Sequence, residues 1–114
     1  MTAKPESRLR TKIVKKLRSI GGKWEVVHGG PYQAAGISDI IGCYEGIFWA
    51  LEVKTPKKWK TPGHNLSVLQ VKFLEAINKN HGRAYCICSV DQAAYLISDS
   101  TIAGPSLKKL EELS

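Results

Sequence analysis

Residues 36–54, GISDIIGCYEGIFWALEVK, carry the pattern that decides the fold of this chain. Apolar, β-branched and aromatic residues dominate positions 40–44 and again positions 47–53, and Glu45-Gly46 separates the two runs. Two such runs around a pair of turn residues predict a β-hairpin, although Glu-Gly is a weaker turn signal than Asn-Gly. The stretch therefore predicts two neighbouring antiparallel strands.

A two-residue turn at Glu45 and Gly46 would place Asp39 directly opposite Glu52. Side chains of opposed residues lie on the same face of a sheet, with Cβ atoms about 5 Å apart. Lys54 follows Glu52 by two positions and returns to that face. A four-residue turn would keep this register, whereas a bulge or a three-residue loop would break it. We therefore expect two carboxylates and an amine to lie together.

The two facing acids suggest a divalent cation. Unscreened carboxylates about 5 Å apart repel by about 3 kcal/mol at an effective dielectric constant near 20, and a cation between them reverses the sign. Oxygen ligands without nearby histidine or cysteine favour Mg²⁺ or Mn²⁺ over zinc. The alternative is that Asp39 begins a strand exposed to water and that Glu52 and Lys54 form a surface ion pair. Spacing alone leaves both interpretations open.

Length and composition predict one globular domain spanning residues 1–114. The chain has 114 residues, of which 43% are apolar, enough for a packed core instead of disorder. No apolar run approaches 18 residues and no signal peptide is visible, so we expect no membrane span and a cytoplasmic location. The odd number of cysteines, three, suggests reduced thiols. Cys86, Cys88 and His81 lack a second ligand pair at zinc-finger spacing.

The net charge favours a polyanionic partner. Seventeen basic and ten acidic residues give a formal charge of +7. The basic residues crowd the first helix and the segment 55–65, and the alternative is a solvated basic face. The residues predicted to contact nucleic acid are Arg8, Lys12, Lys15, Lys57, Lys58, Trp59, Lys60 and His64. Trp59 could stack on a base or pack on the domain, and His64 could contact phosphate, position water or do neither.

Periodicity and capping signals predict the remaining elements. They are a helix from Pro5 to the Gly21-Gly22 pair, a strand at 24–28, a loop at 55–65, a helix from Ser67, a strand at 84–89, a short helix capped by Asp91 and a C-terminal leucine stripe. The stripe (Leu107, Leu110 and Leu113) could dock on the domain or on a second copy. Both faces of the hairpin are apolar, so we expect an α/β fold with helices on both faces of the sheet.

Two polar residues lie on apolar helix faces and each has two interpretations. Glu6 precedes Leu9 and Ile13 by three and seven positions, so it either points toward the sheet or interacts with the helix N-terminus. Gln70 completes a Ser67-x-x-Gln70 capping box, yet it also shares the inward face of its helix. A capping role and a site role are both open for Gln70.

The residues above resemble the VRR-Nuc (virus-type replication-repair nuclease) family of the PD-(D/E)XK nuclease superfamily. Gly36-Ile37-Ser38-Asp39 stands where that family has Gly-x-Pro-Asp, with serine in place of the usual proline. Glu52-Val53-Lys54 matches its Glu-x-Lys, and Gln70 matches a glutamine that opens the following helix. The resemblance implies a restriction-endonuclease-like core in the order αβββαβα, with a mixed four-stranded sheet flanked by helices.

The resemblance also implies the chemistry. Asp39, Glu52 and the backbone carbonyl of Val53 would hold Mg²⁺ or Mn²⁺, with Glu6 as a secondary ligand. Lys54 would act as a base or stabilise charge, and Gln70 would steady Lys54 or a water. The activity expected is a metal-dependent DNA endonuclease of repair and recombination, acting as a homodimer on four-way (Holliday) junctions. Flap, gapped or duplex DNA, RNA, and a non-catalytic DNA-binding module are the alternatives.

Overall fold

The computed structural model describes residues 4–28, 35–99 and 104–114. At its centre lies a four-stranded sheet in the order β1-β2-β3-β4, with β3 and β4 parallel and the other pairs antiparallel. The elements in chain order are α1 (Pro5–Ile20), β1 (Lys23–Val26), β2 (Ile40–Tyr44), β3 (Ile47–Val53), α2 (Pro56–Trp59), a 3₁₀ turn (Pro62–Asn65), α3 (Val68–Lys79), β4 (Arg83–Ile87), α4 (Val90–Ser98) and α5 (Leu107–Glu112). The predicted α/β class with a mixed four-stranded sheet is confirmed.

The central hairpin has the register predicted from its turn. Tyr44 pairs with Ile47, and the pairing continues without a bulge to Ile40 opposite Leu51. Glu45 and Gly46 have φ values of 50° and 81°. Positive φ at both turn residues is the conformation that matches the twist of a two-residue hairpin.

Helices cover both faces of the sheet. On one face, α1 and α4 pack through Leu17 and Leu96, and Leu110 of α5 joins the same core. On the other face, α3 packs through Leu74 against Ala50 and Ala84. Because β3 and β4 are parallel, the chain must cross from one end of the sheet to the other between them, and α3 is part of that crossover.

The structure corrects several predicted boundaries. Segment 55–65 is not a continuous loop, because it contains α2 and the 3₁₀ turn. Each of the two begins with a proline, a residue suited to the first helical position. Ser89, not Asp91, caps α4, because its hydroxyl accepts a hydrogen bond from the Gln92 amide. The first strand ends at Val26 instead of His28, and β4 covers 83–87 instead of 84–89.

The C-terminal helix docks on its own chain. Leu110 is 7% exposed, whereas Leu107 is 63% exposed. The Gln92 side-chain amide donates to the carbonyl of Leu110 at 2.7 Å. Of the helices within residues 4–28, 35–99 and 104–114, none is long and apolar enough to cross a membrane.

Candidate active site

Asp39 lies just before β2 and is held between two other strands. Its Oδ2 accepts a hydrogen bond from the backbone amide of Val53 at 2.8 Å. Its backbone carbonyl accepts one from the amide of Val27, also at 2.8 Å. The regular pairing of β2 with β3 stops at Ile40 and Leu51, one position short of Asp39 and Glu52. The two hydrogen bonds nevertheless keep Asp39 beside the end of β3. The expected proximity of Asp39 and Glu52 follows from this arrangement.

Gly36 allows the turn before Asp39 to pack directly on helix α3. Its φ is +89°, and a Cβ atom there would lie 2.6 Å from the carbonyl oxygen of Leu69. Both the positive φ and the contact require a residue without a side chain. Ser38, which stands where the resembled pattern has proline, is 1% exposed. The glycine therefore fixes the distance between Asp39 and the first turn of α3.

Glu52 is a buried carboxylate with one unsatisfied oxygen. The residue is 4% exposed, its Oε1 accepts a hydrogen bond from Gln70 Nε2 at 3.0 Å, and its Oε2 has no hydrogen-bond partner in the described part of the chain. Burial raises the pKa of Glu52 to about 8. The charge of Asp39 and the hydrogen bond that a protonated Glu52 would donate to it add to this rise, Lys54 opposes it, and Glu6 adds to it more weakly. The ordinary remedy for such a group is protonation or a positive partner.

Gln70 both caps α3 and contacts Glu52 of β3 and Lys54, the residue directly after that strand. Its backbone amide donates to Ser67 Oγ at 3.1 Å, and its Oε1 accepts from the Ser67 amide at 2.9 Å, which completes the capping box. The same side chain donates to Glu52, and its Oε1 lies 3.5 Å from Nζ of Lys54. Lys54 is 9% exposed. The two interpretations of Gln70 are therefore compatible, since one side chain makes both sets of contacts.

Arg10 is a site residue that the sequence did not single out. Its Nη1 lies 3.0 Å from Oδ1 of Asp39, and its Nη2 donates to Ser7 Oγ at 3.2 Å. A signal for this contact existed, because Arg10 follows Glu6 by four residues and so shares the inward face of α1. Glu6 itself pairs with Lys58 at 3.7 Å. Within the described ranges, no three Asp, Glu, His or Cys residues cluster closely enough to hold a metal, and the secondary role of Glu6 stays a prediction.

The two carboxylates of Asp39 and Glu52 form a donor set that fits a hard divalent cation. Glu52 Oε2 lacks a partner among residues 4–28, 35–99 and 104–114, and Asp39 places a second carboxylate next to it. Both Asp39 oxygens already accept one hydrogen bond, but each carboxylate oxygen has two lone pairs. Carboxylate and carbonyl oxygens are the ligands that Mg²⁺ and Mn²⁺ prefer.

The residues predicted to contact nucleic acid fall into two groups, exposed basic side chains and a buried tryptophan. Lys57, Lys58 and Lys60 of the 55–65 segment are exposed, as are Arg8, Lys12 and Lys15 of α1. Base stacking by Trp59 is contradicted, because Trp59 is 4% exposed and its Nε1 donates to the carbonyl of Cys86 at 2.9 Å. His64 stacks on the Trp59 ring with centroids 4.6 Å apart, and its Nδ1 lies 2.6 Å from the Trp59 carbonyl oxygen. Trp59 and His64 therefore stabilise the segment that carries the lysines.

Comparison with known proteins identifies the fold. No protein-family model matches the chain, and no curated protein matches it. A solved structure described as a VRR_NUC domain is similar, with a TM-score of 0.67 and 21% sequence identity. The match covers 87% of this chain and 100% of that structure. The arrangement of helices and strands around the Asp39–Glu52 pair is therefore that of a VRR_NUC domain, a restriction-endonuclease-like fold.

Proposed function

We propose that this protein is a metal-dependent DNA endonuclease of the PD-(D/E)XK type. The observation that carries the proposal is the buried Glu52 carboxylate, which has an unpaired oxygen beside Asp39. An ionised Glu52 is destabilising in the metal-free protein, because burial and Asp39 disfavour its charge more than Lys54 favours it. The VRR_NUC fold supports the same conclusion.

In this proposal Asp39, Glu52 and the carbonyl of Val53 would hold Mg²⁺ or Mn²⁺. When bound, such an ion lowers the pKa of a coordinated water and offsets negative charge on the phosphate that is attacked. Gln70 orients the Glu52 carboxylate through its 3.0 Å hydrogen bond. Lys54 lies on the same side of the sheet and would orient the attacking water or stabilise charge on the phosphate.

The basic residues of segment 55–65 and of α1 support a DNA substrate. The exposed lysines Lys57, Lys58 and Lys60 follow directly after the acidic strand end, and Lys58 reaches Glu6 of α1 at 3.7 Å. Arg8, Lys12 and Lys15 add positive charge along α1. Lysine and arginine side chains neutralise phosphates and supply most of the sequence-independent affinity for DNA.

We further propose that the active form is a homodimer and that a four-way junction is the leading substrate. The described residues contain one Asp39–Glu52 pair, so one copy makes one incision at a time. Two symmetric incisions require two sites related by a two-fold axis. Flap, gapped and duplex DNA are the alternative substrates.

A non-catalytic DNA-binding module is the second candidate, and the Arg10–Asp39 ion pair favours it. An arginine that neutralises Asp39 at 3.0 Å is what a structural acid would have. Glu52 argues against this candidate, because Arg10 leaves its Oε2 unpaired. The two candidates therefore differ in whether the site needs a cation.

The test is cleavage of labelled four-way junction, flap, gapped and blunt duplex DNA in Mg²⁺, Mn²⁺ or EDTA. We expect cutting with metal only, and its loss in Asp39→Asn. Glu75→Gln, which alters an exposed acid on α3, is the matched control and should cut normally. Binding without metal-dependent cutting of any substrate would establish the non-catalytic module. Size-exclusion chromatography of the same samples tests the dimer, and RNA versions of the substrates test sugar preference.

A further inference from the structure

A groove of about 650 Å³ lies between helix α1 and the edge strand β1. Helix α1 contributes Ser7, Arg10, Thr11, Val14 and Arg18 to its lining, and the β1 side contributes Glu25, Val26 and His28. No residue predicted from the sequence to bind nucleic acid lines this groove. It is therefore distinct from the basic surfaces formed by Lys12 and Lys15 and by segment 55–65.

Arg10 joins this groove to the acidic pair. Its guanidinium pairs with Asp39 through Nη1 and with Ser7 through Nη2, and its side chain is 25% exposed. A guanidinium carries five N–H donors in a planar fork that suits phosphate oxygens. Arg10 can therefore contact a phosphate in the groove while it remains beside Asp39.

Arg18 provides a second fixed guanidinium at the other end of the groove. Its Nε and Nη2 donate to the Trp24 carbonyl at 3.3 and 3.0 Å. The acidic residue of the groove, Glu25, is offset by Lys23 at 2.8 Å and by Arg18 at 3.7 Å. Held in place by the backbone, Arg18 loses little side-chain freedom when it binds an anion.

The distance between the two arginines spans a short length of one strand. Arg10 and Arg18 both line the groove, and their separation of eight residues along α1 corresponds to about 12 Å of helix. Phosphates of one strand of B-form DNA follow one another at about 3.4 Å along the duplex axis, so this distance corresponds to roughly three to four nucleotides. A short stretch of one strand can therefore reach from Arg10 to Arg18.

We propose that one DNA strand runs from the Asp39–Glu52 pair into the α1–β1 groove, with Arg10 and then Arg18 on its phosphates. This inference rests on the proposed nuclease function and adds the path of the strand. The phosphate next to the cleavage position contacts Arg10. The exposed lysines of segment 55–65 then contact the DNA on the other side of the cleavage position.

The test compares a residue of the groove with an exposed residue of another helix. Thr11 is exposed in the groove, and its hydroxyl donates to the carbonyl of Ser7. Asn80 is also exposed and donates locally to the carbonyl of Ala76, but it lies at the C-terminal end of α3 and does not line the groove. Thr11→Glu and Thr11→Lys are compared with Asn80→Glu and Asn80→Lys by fluorescence anisotropy on a labelled forked DNA in EDTA.

We expect Thr11→Glu to weaken binding about 3- to 10-fold and Thr11→Lys to tighten it about 3-fold, because each changes the charge facing the phosphates. The Asn80 variants should stay within about 2-fold of the wild type. Equal effects at the two positions, or no effect at Thr11, would overturn the proposed path of the DNA strand through the groove. Gain of affinity in Thr11→Lys cannot arise from misfolding. Failure of the nuclease proposal is seen separately, as wild-type protein that binds the fork but never cuts it when metal is added.

Discussion

At the scale of single residues, the raised pKa of Glu52 should couple the stability of the fold to pH. Its pKa is raised to about 8, first by burial and then by Asp39. A carboxyl group whose pKa is higher in the folded state than in the unfolded chain contributes stability that is fully present below the unfolded value, near 4.5. That contribution is lost as the pH rises through about 8. Without a cation, the folded protein should therefore become less stable between these two values.

Glu52→Gln should stabilise the metal-free protein at pH 8. The amide keeps an oxygen that can accept from Gln70, and it removes a buried negative charge that costs about 1–3 kcal/mol. The check is thermal unfolding in EDTA at pH 5 and pH 8, with Glu75→Gln as the control. Wild type should lose more stability over this range than Glu52→Gln. An identical pH dependence of the two proteins would show that Glu52 is not the group responsible.

Mn²⁺ should raise the unfolding temperature of the wild type, and more at pH 8 than at pH 5. An ion needs the ionised carboxylates, so it competes with the proton on Glu52. At 100 times the dissociation constant, a bound ligand adds about 2.7 kcal/mol, which is several degrees for a chain of this size. Asp39→Asn should respond weakly at both pH values. A response in Asp39→Asn as large as in wild type would place the ion elsewhere.

Local geometry explains which site residues could be predicted. Asp39, Glu52 and Lys54 follow from strand register and a two-residue turn, and Gln70 follows from helical spacing and its capping box. The Arg10–Asp39 contact joins residues 29 positions apart. The spacing from Glu6 places Arg10 on the inward face of α1 but does not specify its partner. The burial of Trp59 depends on how α2 packs on the end of β4, through the carbonyl of Cys86. The sequence around Trp59, a single aromatic residue among lysines, does not indicate this packing.

At the scale of elements, the Glu45-Gly46 turn shows a mismatch between residue and conformation. Glu45 has φ 50°, a region that asparagine and glycine adopt more readily than glutamate. Glu45→Asn should therefore stabilise the protein by about 0.5–1 kcal/mol, measured by urea denaturation. Gly46→Ala should destabilise it by about 1 kcal/mol, because its φ is 81° although a Cβ would meet no atom within 4 Å. Destabilisation by Glu45→Asn would show that the turn has another conformation in solution.

Helix α2 holds the lysines of segment 55–65 in place through Trp59. Trp59→Phe removes the Nε1 hydrogen bond to Cys86 and should cost about 1–3 kcal/mol of stability. Because the ring is buried, the affinity for DNA should stay within about 2-fold of wild type. Lys57→Ala should do the reverse, weakening binding with little change in stability. A strong loss of DNA affinity in a stable Trp59→Phe protein would instead support the interpretation that Trp59 stacks on a base.

The prediction of elements depended on the length of their patterns. Helix α1 was predicted from Pro5 up to the glycine pair because four turns of apolar spacing and a proline at its start agree. The short turns at 56–59 and 62–65 lack enough residues for any periodic signal. The parallel pairing of β4 with β3 was implied by the family resemblance alone, since strand partners distant in sequence leave no local pattern.

At the scale of the whole molecule, Gln92 links three elements inside the core. It is 0% exposed, its Oε1 accepts from the Cys88 amide at 2.6 Å, and its Nε2 donates to the Leu110 carbonyl at 2.7 Å. Gln92→Leu leaves both backbone groups unsatisfied and should destabilise the protein by about 2–5 kcal/mol. Leu107→Ala, at an exposed position of α5, should change stability by less than about 0.5 kcal/mol. Guanidinium denaturation compares them, and equal effects would mean that α5 does not dock in solution.

The three cysteines differ in a way that is useful for spectroscopy. Burial raises the pKa of the Cys86 thiol to about 12, and it raises that of Cys88 as well, so both are poor nucleophiles. Cys43 is exposed and lies near the hairpin turn, at the far end of β2 from Asp39. A maleimide dye should therefore attach at Cys43 alone, about 13 Å along the strand from the acids. The natural chain thus offers a ready attachment point for following DNA by energy transfer, with no engineered cysteine.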